Sequence, residues 1–262
     1  MTEPASTPGD VADISRMQSF WRGGTGGSAV DRSAAQDAQA AYPQLAASVR
    51  ANRAFLGRSV RLLAAECGIR QFLDIGTGLP APGAVHEVAR EIAPDCRVVY
   101  CDNDPAVVSR ARTEMAAGGA DYIEADVRDA DGLLARAGPM LDLSAPVGVL
   151  LVSVLHMISD RDDPAAVVAR LMTALPGGSY LVLTHVASDI DPEAIAEMTR
   201  RVNQQVGRRA TPRDHASVLR LFAGLELVPP GLVRVPLWRP DSAEEAASPS
   251  AQWGGVGSAG GA

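Results

Sequence analysis

Three acids stand at matching points along the middle of the chain, and their spacing is the first chemical signal. Asp74 lies in Phe72-Leu73-Asp74-Ile75-Gly76-Thr77-Gly78-Leu79-Pro80. Asp102 ends Val98-Val99-Tyr100-Cys101-Asp102, and Asp126 closes Asp121-Tyr122-Ile123-Glu124-Ala125-Asp126. Each follows or ends a short apolar, β-branched or aromatic run, the pattern of a strand. Acids at the ends of successive parallel strands gather along one sheet edge, where open α/β sheets bind ligands. Gly76 and Gly78 permit a tight turn in which backbone approaches a ligand without a Cβ in the way. Asp102, 24 residues beyond Gly78, stands where a carboxylate accepts from both hydroxyls of a ribose, and Asp126 is suited to accept from the exocyclic amine of an adenine. Helix capping is the competing role for such acids and fits Asp104 better than Asp102. Asp74 sets the sign of the ligand: an acid two residues before the first glycine favours amino and sulfonium groups and repels a pyrophosphate. That chemistry is S-adenosylmethionine (SAM) rather than NAD.

Other residues bear on the reacting end. His156 and His185 fall beyond the fourth and near the end of the fifth expected strand, towards the same edge. Either is a candidate general base, which a hydroxyl or amine acceptor would need; the alternative is a histidine packed and hydrogen-bonded at a strand end. His86 and His215 read as structural or surface residues. None of the four histidines has metal-ligand spacing with another His or Cys, so no metal is expected. Phe20 and Trp21 are candidate substrate-side residues, an aromatic face closing over a sulfonium, or else staples of a short helix. Asn52 falls on the apolar stripe of a long helix, where an inward amide must find a partner. With Arg53 beside it, Asn52 either binds the cofactor or ties the N-terminal segment down. Ser153, near the end of the fourth strand, joins the cofactor-binding set. Arg200, Arg201, Arg208, Arg209 and Arg213 form a basic cluster that either meets an acidic substrate or is a solvated face paired with Glu193, Glu197 and Asp214.

These residues need a sheet to position them, and the chain supplies its pattern. With 262 residues and 47% hydrophobic content, it fits one α/β domain with an added helical segment. A net charge of −7 argues against nucleic acid as an electrostatic partner. All the basic residues are arginine, which removes Schiff-base chemistry and a phosphate-loop lysine. Cys67, Cys96 and Cys101 lack the spacing of a disulfide or zinc framework. No apolar run is long enough to cross a bilayer and no leader pattern opens the chain, so a cytoplasmic protein is expected.

The expected organisation is a disordered tail over residues 1–12, an N-terminal helical cap over 13–67, a SAM-binding Rossmann-like domain over 68–240 and a second disordered tail over 241–262. The cap reads as a short helix over 14–22, the cluster Gly23-Gly24-Thr25-Gly26-Gly27, a helix over 31–42 and a long helix over 44–67. Strands then alternate with helices: strand 72–75, helix 84–92, strand 98–101, helix 105–117, strand 122–125, helix 131–136, apolar strand 147–154, a helix from Asp163-Pro164, strand 180–186 and helix 192–206. A further helix starts at a capping box Thr211-Pro212-Arg213-Asp214, and residues 225–228 and 232–237 read as a closing antiparallel hairpin. Trp253 is expected to be an exposed aromatic without a role.

Longer strings carry a family resemblance. They are Asn52-Arg53-Ala54-Phe55-Leu56, Gly68-Ile69-Arg70-Gln71 continuing into the glycine turn, Val85-His86-Glu87-Val88-Ala89, Tyr100-Cys101-Asp102-Asn103-Asp104-Pro105, Ala125-Asp126-Val127-Arg128-Asp129, Val154-Leu155-His156 and Pro176-Gly177-Gly178-Ser179-Tyr180. Over residues 14–240 the chain resembles the actinobacterial SAM-dependent methyltransferase family 19, once catalogued as a domain of unknown function. The resemblance implies a class I methyltransferase fold with a seven-stranded, mainly parallel sheet, helices on both faces and SAM as cofactor. It also implies that Asp74, Gly76, Thr77, Gly78, Asp102, Asn103, Asp126 and Val127 bind SAM. Similar proteins carry Tyr-Asp-Tyr, two apolar residues, Gly-Gly and then an Asn before Asp-Arg. Here Gln18, Ser19 and Gly27 replace the Tyr, Asp and Asn, while Gly23-Gly24 and Asp31-Arg32 remain.

The function expected from all this is methyl transfer from SAM to a small-molecule acceptor, in specialised metabolism. A SAM-binding sensor without transfer is the alternative suggested by the altered N-terminal motif. An NAD-dependent oxidoreductase fits less well, because Asp74 is misplaced for it and no Tyr-x-x-x-Lys pair can form.

Overall fold

The computed structural model describes residues 11–24, 27–115, 118–207 and 209–260. Residues 1–10 of the expected N-terminal tail, Thr25 and Gly26 of the glycine cluster, Ala116 and Ala117 of an expected helix, Arg208 of the basic cluster and residues 261–262 of the expected C-terminal tail lie outside the described residues.

Three helices come first: α1 (Ile14–Trp21), α2 (Ala29–Ala41) and α3 (Leu45–Ala65). Asp13 caps α1 by accepting from the Arg16 amide, and Ser28 caps α2 in a reciprocal box with Asp31. Asp31 also joins the two helices, accepting from the Asp13 amide at 2.9 Å and from Arg16 Nε at 2.7 Å. Burial pushes the Asp31 carboxyl up, but the Arg16 and Ser28 hydrogen bonds outweigh it and bring the pKa down to about 2.

The alternating part follows as β1 (Gln71–Ile75), α4 (Val85–Ile92), β2 (Arg97–Asp102), α5 (Pro105–Glu114), β3 (Asp121–Glu124), α6 (Ala130–Ala137), β4 (Gly148–Val152), α7 (Pro164–Thr173), β5 (Tyr180–Val186) and α8 (Pro192–Gln205). Short elements complete it: α9 (His215–Arg220), β6 (Glu226–Leu227), β7 (Val233–Arg234), α10 (Ala243–Ala246) and β8 (Gln252–Ser258). Strands are ordered β3-β2-β1-β4-β5-β8-β6, and β7 also pairs with β8. The first five are parallel.

Alternate strand residues feed opposite faces, as the two-residue period requires. Leu73, Val99, Val149 and Leu181 pack with α6 and α7, while Phe72, Val98, Leu150 and Val182 pack with α3, α4 and α5. Burial on both faces is why β4 reads as an unbroken apolar run and why every residue of β1 is buried, Gln71 and Asp74 included. A third cluster, including Met17, Trp21, Ala38, Val49, Ile195 and Met198, joins α1 and α2 to α3 and α8. It seats α1 beside the carboxyl ends of the strands.

The C-terminal region departs from expectation. Residues expected as a disordered tail form β8, which runs antiparallel to β5 from Tyr180↔Ser258 to Val186↔Gln252. The other edge of β8 pairs with β6 at Glu226↔Ser258 and with β7 at Val233↔Gly254. The expected hairpin between 225–228 and 232–237 is therefore replaced by two short strands sharing a third, giving eight strands in seven ranks. The glycines of β8 make room for neighbouring side chains. A Cβ on Gly254 would lie 2.7 Å from Val235 Cγ1, and one on Gly257 would lie 3.0 Å from both Leu225 Cβ and Phe222 Cδ1. Trp253 is half-buried: its Nε1 donates to Asp189 at 2.8 Å, and its ring meets His215 edge-on at 4.7 Å. The expected capping box at Thr211 also shifts. Asp214 caps α9 by accepting from Ser217 N, and Arg213 is extended, bridging to Ala187.

Candidate functional site

The turn after β1 is fixed by its backbone. Gly76 N donates to Cys101 O at 2.7 Å and Thr77 N to the same oxygen at 3.2 Å, so the loop leans onto the end of β2. Gly76 has φ +72°, and a Cβ there would lie 2.5 Å from Val154 Cγ2. A side chain is excluded both by conformation and by space. Gly78, at φ +63°, donates its amide to Asp102 Oδ2 at 2.9 Å, and Asp104 N donates to Oδ1 at 3.0 Å. Asp102 is thus buried and already engaged; burial raises its pKa against the lowering effect of these two amides.

One cavity lies over this turn. Asp74, Gly76, Thr77, Gly78, Asp102, Asn103, Val127 and Ser153 line it with Asn52 and Arg53 of α3. Those ten sequence-predicted residues are brought together. Burial pushes the Asp74 carboxyl up to about 7, partly opposed by the nearby charge of Arg53 and aided by that of Asp102. Asn52 donates from Nδ2 to Ser153 Oγ at 2.9 Å, while its buried Oδ1 has no partner among the described residues. Ser153 has φ +58°, in the left-handed region, and its amide donates to Thr184 Oγ1 at 2.9 Å. Strained residues of this kind cluster where ligands are held. Arg53 Nη2 donates to the carbonyls of Ala81, Pro82 and Gly83, and its Nε is buried without a partner among the described residues.

Five sequence-predicted residues lie off the lining. Asp126 accepts from Arg128 at 2.6 Å and from Asn103 Nδ2 at 3.1 Å, and the Arg128 hydrogen bonds hold its pKa well below the usual carboxylate range. It braces Asn103, which does line the cavity, rather than facing the cavity itself. Trp21 donates from Nε1 to Ala35 O at 3.0 Å and is buried between α1 and α2, and Phe20 packs against the same cluster. His185 is fully buried, with Nδ1 donating to Val186 O at 2.8 Å and Nε2 accepting from Arg213 at 2.8 Å. Both ring nitrogens are used, so no lone pair remains for a proton transfer. Burial and the charge of Arg213 bring His156 down to about 4; its ring sits edge-on to His185 at 5.9 Å, it does not line the cavity, and its buried Nδ1 has no partner among the described residues.

Sequence reasoning missed the face of α1 that does line the cavity: Ile14, Ser15, Gln18 and Arg22. The signal was periodicity, since 14, 18 and 22 fall on one helix face and Met17 and Trp21 on another. Arg22, brought down to about 10 by burial and by the charge of Arg53, reaches Leu79 O at 3.4 Å. Among the described residues no group of three His, Cys, Asp or Glu side chains is placed to hold a metal ion. Among them, too, no helix is long and apolar enough to cross a membrane.

The S-adenosyl methyltransferase family, methyltransferase family 19, matches residues 2–260 of the chain. A DUF574 family protein from Streptomyces avermitilis MA-4680 is 35% identical with a TM-score of 0.91, covering 95% of this chain and 98% of its own. A protein from Thermobifida fusca YX, provisionally designated a methyltransferase, is also 35% identical, with a TM-score of 0.90 and coverage of 99% and 100%. The fold alone is shared with a SAM-dependent methyltransferase from Anabaena variabilis ATCC 29413, at 14% identity, TM-score 0.51 and coverage of 75% and 79%. No curated protein matches. With that match across the chain, on a sheet of class I order whose glycine turn and acids meet at one edge, the protein belongs to the S-adenosyl methyltransferase family and is a SAM-dependent methyltransferase.

Proposed function

We propose that the cavity over the β1 turn binds SAM in one orientation and delivers its methyl group to a small-molecule acceptor. The supporting observation is the chemistry of the lining. At one end Asp102 stands beside the apolar Ala125 and Val127, as a ribose diol and an adenine need. At the other end Asp74 lies within the field of the Arg53 guanidinium, and the two supply the opposite charges that the ammonium and carboxylate of a methionine need. Asn52 Oδ1, buried and unpartnered, adds an acceptor for an N–H or O–H at the same end.

SAM, when bound, supplies an electrophilic methyl on a sulfonium. The protein's contribution is alignment and exclusion of water. Ser15, Gln18 and Arg22 cover the cavity from α1, which Asp31 and the Trp21 contact hold on α2. No histidine is in the lining, and His185 has no free nitrogen. With Asp74 and Asp102 assigned to the cofactor, the lining offers no further base, and the reading is transfer to an acceptor that is nucleophilic by itself. The covered cavity and the net charge of −7 favour a small acceptor over nucleic acid.

Calorimetry with SAM, S-adenosylhomocysteine and NAD tests the cofactor assignment: both sulfur ligands bind and NAD does not. Binding of NAD alone would overturn it. Turnover across acceptor panels tests the rest, and methylation confined to nucleic acid or protein would sink the small-molecule reading.

A further inference from the structure

Helix α3 presents two lining faces. Val49, Asn52, Arg53 and Leu56 face the cavity. Arg50, Arg53, Ala54, Gly57 and Arg61 face a separate groove, closed opposite by residues 81–83 and flanked by Arg22, Asp241 and Glu245. The spacing 50, 53, 54, 57, 61 is a single helix face. Ala54 and Gly57 leave its floor open: the nearest atom to a Cβ built on Gly57 is Arg61 Nη1, at 3.6 Å. Arg22 and Arg53 line both spaces, so the groove abuts the cavity.

The charge of this groove runs against that of the chain, whose net charge is −7. Four arginines meet two acids, and both acids are committed: Asp241 pairs with Arg61 at 2.5 Å, and Glu245 pairs with the buried Arg58. Arg22, Arg50 and Arg53 have no ion pair among the described residues. Arg22 and Arg53 are close enough that the charge of one lowers the pKa of the other. Arg50 stands one helical turn from Arg53, a rise of about 4.5 Å. Arg22 and Arg53 come together where the groove meets the cavity, with Arg50 lining the same groove, and clustered guanidiniums free of ion pairs are the usual recognition device for anionic oxygens. Arg53 can meet the methionine carboxylate from the cavity side, but Arg50 faces the groove alone.

We propose that the α3 groove binds the anionic group, carboxylate or phosphate, of the methyl acceptor, with Arg50 as its groove-specific contact and Arg22 and Arg53 at the junction with the cavity. This rests on the SAM reading of the cavity, and it assigns the acceptor to the class of small anions.

The test is calorimetric titration of the protein with inorganic phosphate and with malonate, with and without saturating S-adenosylhomocysteine, in low salt. At least one anion binds the S-adenosylhomocysteine-loaded protein at millimolar concentration; which of the two binds tighter tells a phosphate-bearing from a carboxylate-bearing acceptor. Arg50→Gln weakens that binding about tenfold and leaves S-adenosylhomocysteine affinity within about twofold. Arg61→Gln, whose arginine is already paired, changes it by less than about twofold. Arg50 is exposed and makes no side-chain hydrogen bond among the described residues, so an unchanged melting curve is expected for its variant. Three results overturn the proposal: neither anion binds, Arg50→Gln binds as the wild type does, or S-adenosylhomocysteine displaces the anion. Failure of S-adenosylhomocysteine itself to bind removes the cofactor reading, while the Arg50 dependence in its absence still decides the groove.

Discussion

On the proposed SAM reading, the nucleoside and methionine ends of the cavity are built in opposite ways. At the nucleoside end the acids are already satisfied: Asp102 accepts from Gly78 and Asp104, and Asp126 from Arg128 and Asn103. At the methionine end the groups wait: Asn52 Oδ1 and Arg53 Nε are buried without partners among the described residues, and Asp74 has its carboxyl raised to about 7. The difference separates two kinds of ligand contact. One end is pre-formed by bonds the fold needs anyway, and substitution there should harm folding and binding together. The other end is completed only by ligand, and substitution there should harm binding while sparing or helping the free protein.

Asp102→Ala makes the sharpest case for the first kind. It strips two loop amides of their acceptor and a ribose of its carboxylate. Thermal unfolding should show a loss of about 1–3 kcal/mol in the free protein, and calorimetry a loss of similar size in SAM affinity. A change in binding alone would erase the contrast.

Asp74→Asn should move the two quantities apart. The Asp74 pKa in the folded protein lies above the ordinary 3.8, so between about pH 4 and pH 7 the native state keeps a proton that the unfolded chain has lost. The contribution of this group to stability therefore falls as pH rises through that window and is flat above it. In Asp74→Asn the slope disappears, the free protein gains stability at pH 8, and SAM affinity drops by about 2 kcal/mol. Denaturant titrations at several pH values check the first two, and calorimetry the third.

Asn52→Ala should behave in the same sense on a smaller scale. Cofactor or acceptor affinity falls by about 1 kcal/mol, and free-protein stability changes less, because an unpartnered oxygen is removed along with the Ser153 bond. Smallest of all, Asp126→Asn acts through Asn103 and should cost less than about 1 kcal/mol in affinity. An Asp126 effect as large as that of Asp102 would mean that it meets the ligand directly.

The same contrast governs what was legible in the sequence. The nucleoside end is written locally: strand, acid, glycine turn and a second acid follow one another within residues 72–102, so pattern alone exposes them. Gln18 and Arg22 reach the cavity only because Asp31 and Trp21 fix α1 on α2, a tertiary result with no local mark beyond helical period. The aromatic pair drew attention by residue type, yet Trp21 serves helix packing. His185 looked available at a strand end, and its loss as a base depends on Arg213, 28 residues away. Strand β8 was illegible for a related reason. Its glycines have no side chains to alternate, and the bulk that fills their places comes from Phe55, Phe222 and Val235 of other elements.

The central claim is that a ligand ammonium completes the methionine end by ionising Asp74. Proton release on binding S-adenosylhomocysteine measures this directly, by calorimetry at about pH 6 in two buffers of different ionisation enthalpy. The account predicts release approaching one proton at that pH, fading by about pH 8 and absent in Asp74→Asn. Binding without proton release at about pH 6, or release undiminished in Asp74→Asn, would contradict it.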